Sequence, residues 1–118
     1  MKVLLTGASG FIGRELMREL LDRGHEVIAT SSRERTSDDP RVTWIKADFT
    51  NPVINRPKFW RAVIRHYGAD AVINNAGIFE EDPARKSTFD TINFHATVAL
   101  AEGAKLAGGR RFIQMSTA

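Results

Sequence analysis

The first thirteen residues constrain the fold of this chain more than any other stretch. Residues 3–5 (VLL) form a short apolar run, typical of a strand buried on both faces. The small residues TGASG follow, and a helical pattern begins at Phe11, with Ile12, Leu16 and Leu20 predicted on the same face. A strand, a glycine turn and a helix start in this order are the context in which a dinucleotide pyrophosphate binds.

Each glycine of this turn has a predicted role. Gly7 makes the tight turn, Gly10 lets backbone N–H groups approach a pyrophosphate, and Gly13 lets the helix pack close to the strand. The positive end of the helix dipole then faces the phosphates. The predicted cofactor contacts of the turn are Gly7, Ser9, Gly10, Phe11, Ile12 and Gly13.

The rest of the chain alternates predicted strands with predicted helices. The strands are expected at residues 25–30, 42–47, 71–75 and 111–117, and the helices at 57–67 and 87–107, with polar loops at 31–40 and 76–87. This alternation predicts an α/β fold with a doubly wound parallel sheet, and right-handed crossovers give the strand order 3-2-1-4-5. Ligand is expected outside the carboxyl ends of strands one and four, where the order reverses.

Composition limits the class of protein. A chain of 118 residues is expected to form one domain, over residues 1–118, and the absence of cysteine excludes disulfides, thiolate metal sites and a cysteine nucleophile. No metal site is predicted. We find no membrane span or secretory leader, so a cytoplasmic location is expected. The net charge of +3 comes without a basic stripe interleaved with aromatic residues, so nucleic-acid binding is not expected.

The glycine spacing also carries a family resemblance. TGASGFIG, with its G-x-x-G-x-x-G spacing just after an N-terminal strand, resembles the extended short-chain dehydrogenase/reductase family. Members include nucleotide-sugar epimerases and dehydratases and related reductases. The resemblance implies a Rossmann fold and a nicotinamide dinucleotide cofactor, and it extends over essentially the whole chain.

The end of the second strand separates NAD from NADP. In the family pattern an aspartate stands where this chain has Ser31, followed by Ser32 and Arg33. Two hydroxyls and a guanidinium suit a 2′-phosphate, whereas an aspartate repels it. We therefore predict NADP as the cofactor, with NAD as the alternative, and Arg35 or Arg14 as further contacts. The competing interpretation is that these are solvated loop residues.

Two later segments match the parts of the family that surround the adenosine. Asp48 and Phe49 follow the third strand, where the resemblance implies a carboxylate and an apolar side chain against the adenine. The alternative is a turn aspartate beside a core phenylalanine. Residues 74–77 (NNAG), at the end of the fourth strand, resemble the segment that lines the adenosine and ribose. The predicted cofactor contacts there are Asn75, Ala76 and Gly77, and the asparagine amides are expected to hold the geometry of the strand end.

The family's catalytic residues are matched only in part. Thr117, with Ser116 beside it, stands where the resemblance implies a catalytic hydroxyl, and Asn93 matches a supporting asparagine in the family's fourth helix. The family's Tyr-x-x-x-Lys pair is absent, since the one tyrosine, Tyr67, is followed four residues later by Ala71. The chain by itself is therefore expected to bind cofactor without redox chemistry, and to be a fragment of a longer protein.

Three functions stay open from the sequence. The first is the cofactor-binding part of an NADP-dependent oxidoreductase or nucleotide-sugar epimerase/dehydratase, whose small-molecule substrate binds only in the full-length protein. The second is a non-catalytic NADP-binding regulatory or accessory subunit, and the third is an interaction domain without cofactor. The edge of strand five is expected to need a cover, such as a second copy of the chain in a homo-oligomer.

Overall fold

The computed structural model describes residues 1–49, 51–75, 95–108 and 111–115. The elements are β1 (Lys2–Thr6), α1 (Phe11–Asp22), β2 (Glu26–Ser31), β3 (Val42–Lys46), α2 (Pro57–Tyr67), β4 (Ala71–Asn74), α3 (Ala96–Leu106) and β5 (Arg111–Gln114). All strand pairs are parallel, and the spatial order is β3-β2-β1-β4-β5. The predicted fold class and strand order are confirmed.

The core lies on both faces of the sheet because side chains alternate along each strand. Leu4 and Ile28 face one layer, where they pack with residues of α2 and α3 around the fully buried Trp60. Leu5 faces the other layer, where it packs with apolar residues of α1. In the part of the chain that the structure describes, one helix packs on one face and two on the other, which is the doubly wound arrangement.

Glycine and proline mark several helix boundaries. Gly24 follows α1 with a φ of 84°, and Gly68 caps α2 with a φ of 69°, a left-handed conformation that glycine adopts without strain. Pro57 begins α2, where its missing N–H costs no hydrogen bond. The predicted third helix is confirmed for residues 96–106, while residues 87–94 lie outside the described residues.

Some apolar side chains of α1 and α3 are exposed. Ile12 is 46% exposed, although it was expected on the same helix face as Leu16 and Leu20, and Phe11, the first residue of α1, is 76% exposed. The first turn of α1 follows directly on the loop at the sheet edge, and only from Gly13 onward does the helix pack against the protein. In α3, Leu106 is 46% exposed, because the helical period brings Ala107 to the buried side instead.

Strand ends differ from the predicted ones by one to three residues. The difference that bears on function is at β2, which includes Ser31, a residue expected to begin the following loop. Strand β4 ends at Asn74, and β5 is a strand for residues 111–114 of the predicted 111–117. Among the described residues, no helix has the length and apolar character needed to cross a membrane.

Candidate functional site

The glycine turn between β1 and α1 is closed by backbone hydrogen bonds. Gly7 has a φ of 64°, and the N–H of Gly10 donates to its carbonyl oxygen at 3.3 Å. A Cβ at Gly13 would lie 2.0 Å from the same carbonyl oxygen, so no side chain fits there. The predicted roles of Gly7 as the turn residue and Gly13 as the close-packing residue therefore agree with the geometry.

The N-terminus of α1 has the features of an anion-binding site. Gly10 is the N-cap residue, no side chain caps the helix, and the first turn carries no acidic residue. Among the described residues, a Cβ at Gly10 would meet only the carbonyl oxygen of Gly7, at an ordinary 3.6 Å, so packing against them does not require a glycine there. The N–H groups of this first turn are left for a ligand or solvent, and the helix dipole favours an anion.

Ser31 joins the end of β2 to the glycine turn. Its side chain is buried, with a relative exposure of 5%, and its Oγ donates to Ser9 Oγ at 3.3 Å. The same Oγ accepts the backbone N–H of Arg33 and the Nε–H of Arg35, both at 3.2 Å. A hydroxyl has one proton and two lone pairs, so Ser31 already uses its full hydrogen-bonding capacity.

The loop after Ser31 supplies exposed polar and cationic groups. Ser32, Arg33 and Arg35 are all exposed. Of the two arginine side chains, that of Arg35 is held in place, because its guanidinium carbon lies 5.9 Å from the ring centroid of Trp44 and its Nε–H bonds Ser31. Ser31 thus organises this loop, and the exposed groups around it are the ones a ligand can reach.

Asp48 and Phe49 lie just after β3 and have opposite environments. Asp48 is exposed, whereas Phe49 is 7% exposed and its ring stacks on Trp60 at 5.5 Å between centroids. The carbonyl of Phe49 accepts the side-chain amide of Asn55 at 2.6 Å. Phe49 therefore has the core packing that was the alternative interpretation of this pair.

A buried amide connects three strands and a helix beside the glycine turn. Asn74 is 0% exposed; its Oδ1 accepts the hydroxyl of Thr6 at 2.5 Å, and its Nδ2 donates to Gln114 Oε1 at 2.8 Å and to Thr97 Oγ1 at 3.1 Å. Thr6 Oγ1 also accepts the backbone N–H of Asn75 at 3.0 Å. The network holds the carboxyl ends of β1, β4 and β5 together with α3.

The sequence profile of the NAD dependent epimerase/dehydratase family matches residues 3–118. This chain belongs to that family. The match therefore covers the glycine turn and the strand ends joined by Asn74. It also covers the end of β2 where Ser31 bonds Ser9, Arg33 and Arg35, which we call the Ser31 junction.

Relatives with known names agree with this family membership. The chain is 31% identical to a UDP-glucose 4-epimerase of Klebsiella pneumoniae, over 100% of this chain and 90% of that protein. It is 33% identical to a UDP-glucose 4-epimerase of Mycolicibacterium smegmatis, over 99% of this chain and 39% of that protein. The chain thus spans about two-fifths of the length of this second epimerase.

A solved structure shows the same fold. The uronate dehydrogenase of Agrobacterium tumefaciens, in a Y136A mutant complexed with NAD, superposes with a TM-score of 0.75. The sequences are 21% identical, and the match covers 98% of this chain and 40% of that chain. At this identity the similarity establishes the fold of the epimerase/dehydratase family member described here.

The structure brings most of the predicted site residues of this family member to one edge. Ser9 contacts Ser31, and the Asn75 side-chain amide lies 3.4 Å from the Gly7 carbonyl oxygen, so the glycine turn is bracketed by the ends of β2 and β4. Five predicted residues lie outside the described residues, and their roles stay predictions: Ala76, Gly77, Asn93, Ser116 and Thr117.

Sequence reasoning missed the residues that act through the tertiary fold. Thr6 and Gln114 were not singled out, although both bind Asn74. A signal for Thr6 existed, since a hydroxyl directly before the glycine turn is well placed to bond the neighbouring strand end. Gln114 carried no such signal, because its contact with Asn74 spans 40 residues of sequence and depends on strand pairing.

Proposed function

We propose that this chain is the dinucleotide-binding part of an oxidoreductase that acts on nucleotide sugars as an epimerase or dehydratase. The observation that carries the proposal is the glycine turn. No side chain caps the start of α1 there, and the N-cap residue is Gly10, although a Cβ at that position would make only an ordinary contact with the described residues. A dinucleotide pyrophosphate fits both features. The family membership and the two UDP-glucose 4-epimerase relatives support the substrate class.

Different residues at this edge bind different parts of the cofactor. The first-turn N–H groups of α1 bind the pyrophosphate, and the exposed Phe11 and Ile12 supply apolar surface beside it. Asp48 accepts from the adenine amino group, while Asn75, with Ala76 and Gly77, follows the ribose. When bound, the cofactor supplies hydride transfer at the nicotinamide C4. Catalysis uses Thr117 or Ser116 to hold the substrate oxygen, supported by Asn93, in a full-length protein that adds the acid/base tyrosine.

The preferred cofactor in this proposal is NADP, and its support is the chemistry around Ser31. A neutral hydroxyl stands where the family pattern has an aspartate, and the guanidinium of Arg35 is hydrogen-bonded to it at 3.2 Å. Arg33 and Ser32 are exposed next to it. Arginine guanidinium groups bind a phosphate dianion well through paired N–H donors, and position 31 has no carboxylate that would repel the phosphate. NAD, the ligand in the uronate dehydrogenase complex, is the competing cofactor.

Equilibrium titration with NADPH and NADH tests the cofactor assignment. We expect the full-length protein to bind NADPH more tightly, and Arg33→Ala to weaken NADPH binding much more than NADH binding. Ser31→Asp should reverse the preference, since a carboxylate repels the 2′-phosphate and accepts from the 2′-hydroxyl of NADH. Arg23→Ala removes a distant exposed arginine, paired with Glu19, and should change neither affinity.

The outcomes separate the competing functions. Equal losses of NADPH and NADH binding in Arg33→Ala would place the 2′-phosphate elsewhere. No binding of either nucleotide at millimolar concentration, with a folded protein by circular dichroism, would leave only the interaction domain.

The substrate class is tested by a separate assay. We expect the full-length protein, given cofactor and UDP-hexoses or dTDP-hexoses, to form an epimer or a dehydrated sugar, detected by proton NMR. Cofactor binding without turnover of any nucleotide sugar would instead support the regulatory or accessory role. A cytoplasmic location stays a prediction that cell fractionation tests.

A further inference from the structure

Trp44 stands beside the Ser31 junction on the neighbouring strand. In the parallel register of β2 and β3, Ala29 pairs with Trp44 and Ser31 pairs with Lys46, so Trp44 and Ser31 lie on the same face of the sheet. The Trp44 side chain is half-buried and packs against the apolar cluster beneath α1. Its ring is therefore fixed by the core on one side, and it presents aromatic surface to the loop that follows β2.

The side chain of Arg35 contacts one residue from each of these two strands. Its Nε–H donates to Ser31 Oγ at 3.2 Å, and its guanidinium carbon lies 5.9 Å from the centroid of the Trp44 ring, within cation–π range. In the part of the chain that the structure describes, neither Nη group of Arg35 has a hydrogen-bond partner and no carboxylate forms an ion pair with it. An exposed arginine side chain is thus ordered by two contacts while its two terminal donors stay available.

We infer that Trp44 is a positioning residue that orders Arg35 for the 2′-phosphate and thereby sets the preference for NADP(H). This rests on the proposed function, in which the 2′-phosphate lies at the Ser31 junction. An exposed arginine otherwise loses rotamer entropy when it binds a ligand, and a side chain ordered beforehand avoids much of that loss. Ser31 binds Nε and Trp44 contacts the guanidinium group, so the Nη donors are preorganised.

The test measures the ratio of the NADPH and NADH affinities in the full-length protein by isothermal titration. Trp44→Leu, which keeps an apolar side chain but removes the aromatic face, should weaken NADPH binding by about two- to fivefold, the range of an exposed cation–π contact. NADH affinity should stay unchanged and serves as the internal control for the fold. Trp44→Phe should give a smaller loss, because a phenyl ring binds cations more weakly than indole.

Arg35→Met gives the matched comparison, since it removes the guanidinium and keeps a long apolar side chain. It should lower the affinity ratio at least as much as Trp44→Leu, and the double variant should be no worse than Arg35→Met alone, because Trp44 acts through Arg35. Adenosine 2′,5′-bisphosphate and 5′-AMP should repeat the pattern without a nicotinamide.

The results test the role of Trp44 separately from the 2′-phosphate site. A ratio lowered by Arg35→Met but unchanged in Trp44→Leu overturns the role of Trp44 and leaves the 2′-phosphate site in place. A ratio unchanged in both variants, or a wild-type protein that prefers NADH, overturns the 2′-phosphate site as well. Should Trp44→Leu fail to fold, an unchanged ratio in Trp44→Phe overturns the role of Trp44.

Discussion

Gly10 and Gly13 lie within one helical turn of each other, yet they are glycines for different physical reasons. A Cβ at Gly13 would lie 2.0 Å from the Gly7 carbonyl oxygen, whereas a Cβ at Gly10 would be in ordinary contact at 3.6 Å. Packing within the protein therefore explains Gly13, and the approach of a ligand to the helix start explains Gly10. The two positions can be separated by experiment.

Alanine at each position should separate stability from binding. Gly13→Ala should lower the free energy of unfolding by about 1–3 kcal/mol, because the turn must shift to admit the methyl group. Gly10→Ala should cost less than about 1 kcal/mol, the range for a poorer N-cap residue, but should weaken cofactor binding strongly. Urea unfolding and NADPH titration of both variants measure this, and unchanged binding in Gly10→Ala would contradict the pyrophosphate site.

Asn74 is the residue on which the strand ends depend. Asn74→Leu keeps the branched shape of the side chain but leaves the partner groups on Thr6, Thr97 and Gln114 without their amide. We expect a loss of about 2–4 kcal/mol in the free energy of unfolding, since buried groups that lose a partner are costly. Thr97→Val removes one contact of the network and should cost about 1 kcal/mol. Equal and small losses in both variants would show that the network does not stabilise the sheet.

At the scale of the elements, α2 and α3 are held close by a glycine. A Cβ at Gly103 would lie 2.6 Å from the Trp60 Cβ and 3.0 Å from the Pro57 carbonyl oxygen, so the backbone of α3 approaches α2 directly. This contact packs α3 directly against Trp60 of α2. The indole N–H of Trp60 donates to the Ile54 carbonyl oxygen at 2.6 Å. Trp60 in turn supports Phe49, next to Asp48.

Gly103→Ala tests this contact against helix propensity. Alanine is the better helix former by about 1 kcal/mol, so an exposed glycine replaced in this way would stabilise the protein. Here the methyl group must push the helices apart, and we expect a net loss of about 1–2 kcal/mol by urea unfolding. Glu102→Ala, at an exposed position of the same helix, should stay within about 0.5 kcal/mol of the wild type. A stabilised Gly103→Ala would contradict the close approach.

At the scale of the whole molecule, the candidate site is an edge to which distant parts of the chain contribute. The glycine turn, the Ser31 junction and the Asn74 network meet only because β1 is paired with both β2 and β4. A ligand that contacts all three must therefore stabilise the folded sheet as a unit, by an amount that rises with ligand concentration.

Thermal unfolding should show this linkage. NADPH at about 100 times its dissociation constant should stabilise the protein by about 2.7 kcal/mol, and NADH at the same concentration should raise the melting temperature less. Gly10→Ala should remove most of both shifts. Melting temperatures that respond equally to NADPH, NADH and 5′-AMP would argue against recognition of the 2′-phosphate.

The fold followed from local patterns in the sequence. The apolar run of β1 and the glycine turn are short-range signals, and they predicted β1 and the start of α1 to within a few residues. Alternation of strands and helices, with the fixed handedness of crossovers, was then enough for the strand order. Family resemblance predicted candidate residues near the carboxyl ends of the strands, which a parallel sheet presents together at one edge.

Only the tertiary structure decided how the side chains at that edge are used. Ser31 was expected in a loop, but pairing with β3 makes it a buried strand residue whose hydroxyl is fully engaged. Phe49 stacks on Trp60, and Phe11 is exposed, although their local sequences did not distinguish these environments. The glycine turn was recognisable from the sequence because its conformation is local, whereas the contacts of Asn74 with Gln114 and of Arg35 with Trp44 depend on strand pairing, which no local pattern encodes.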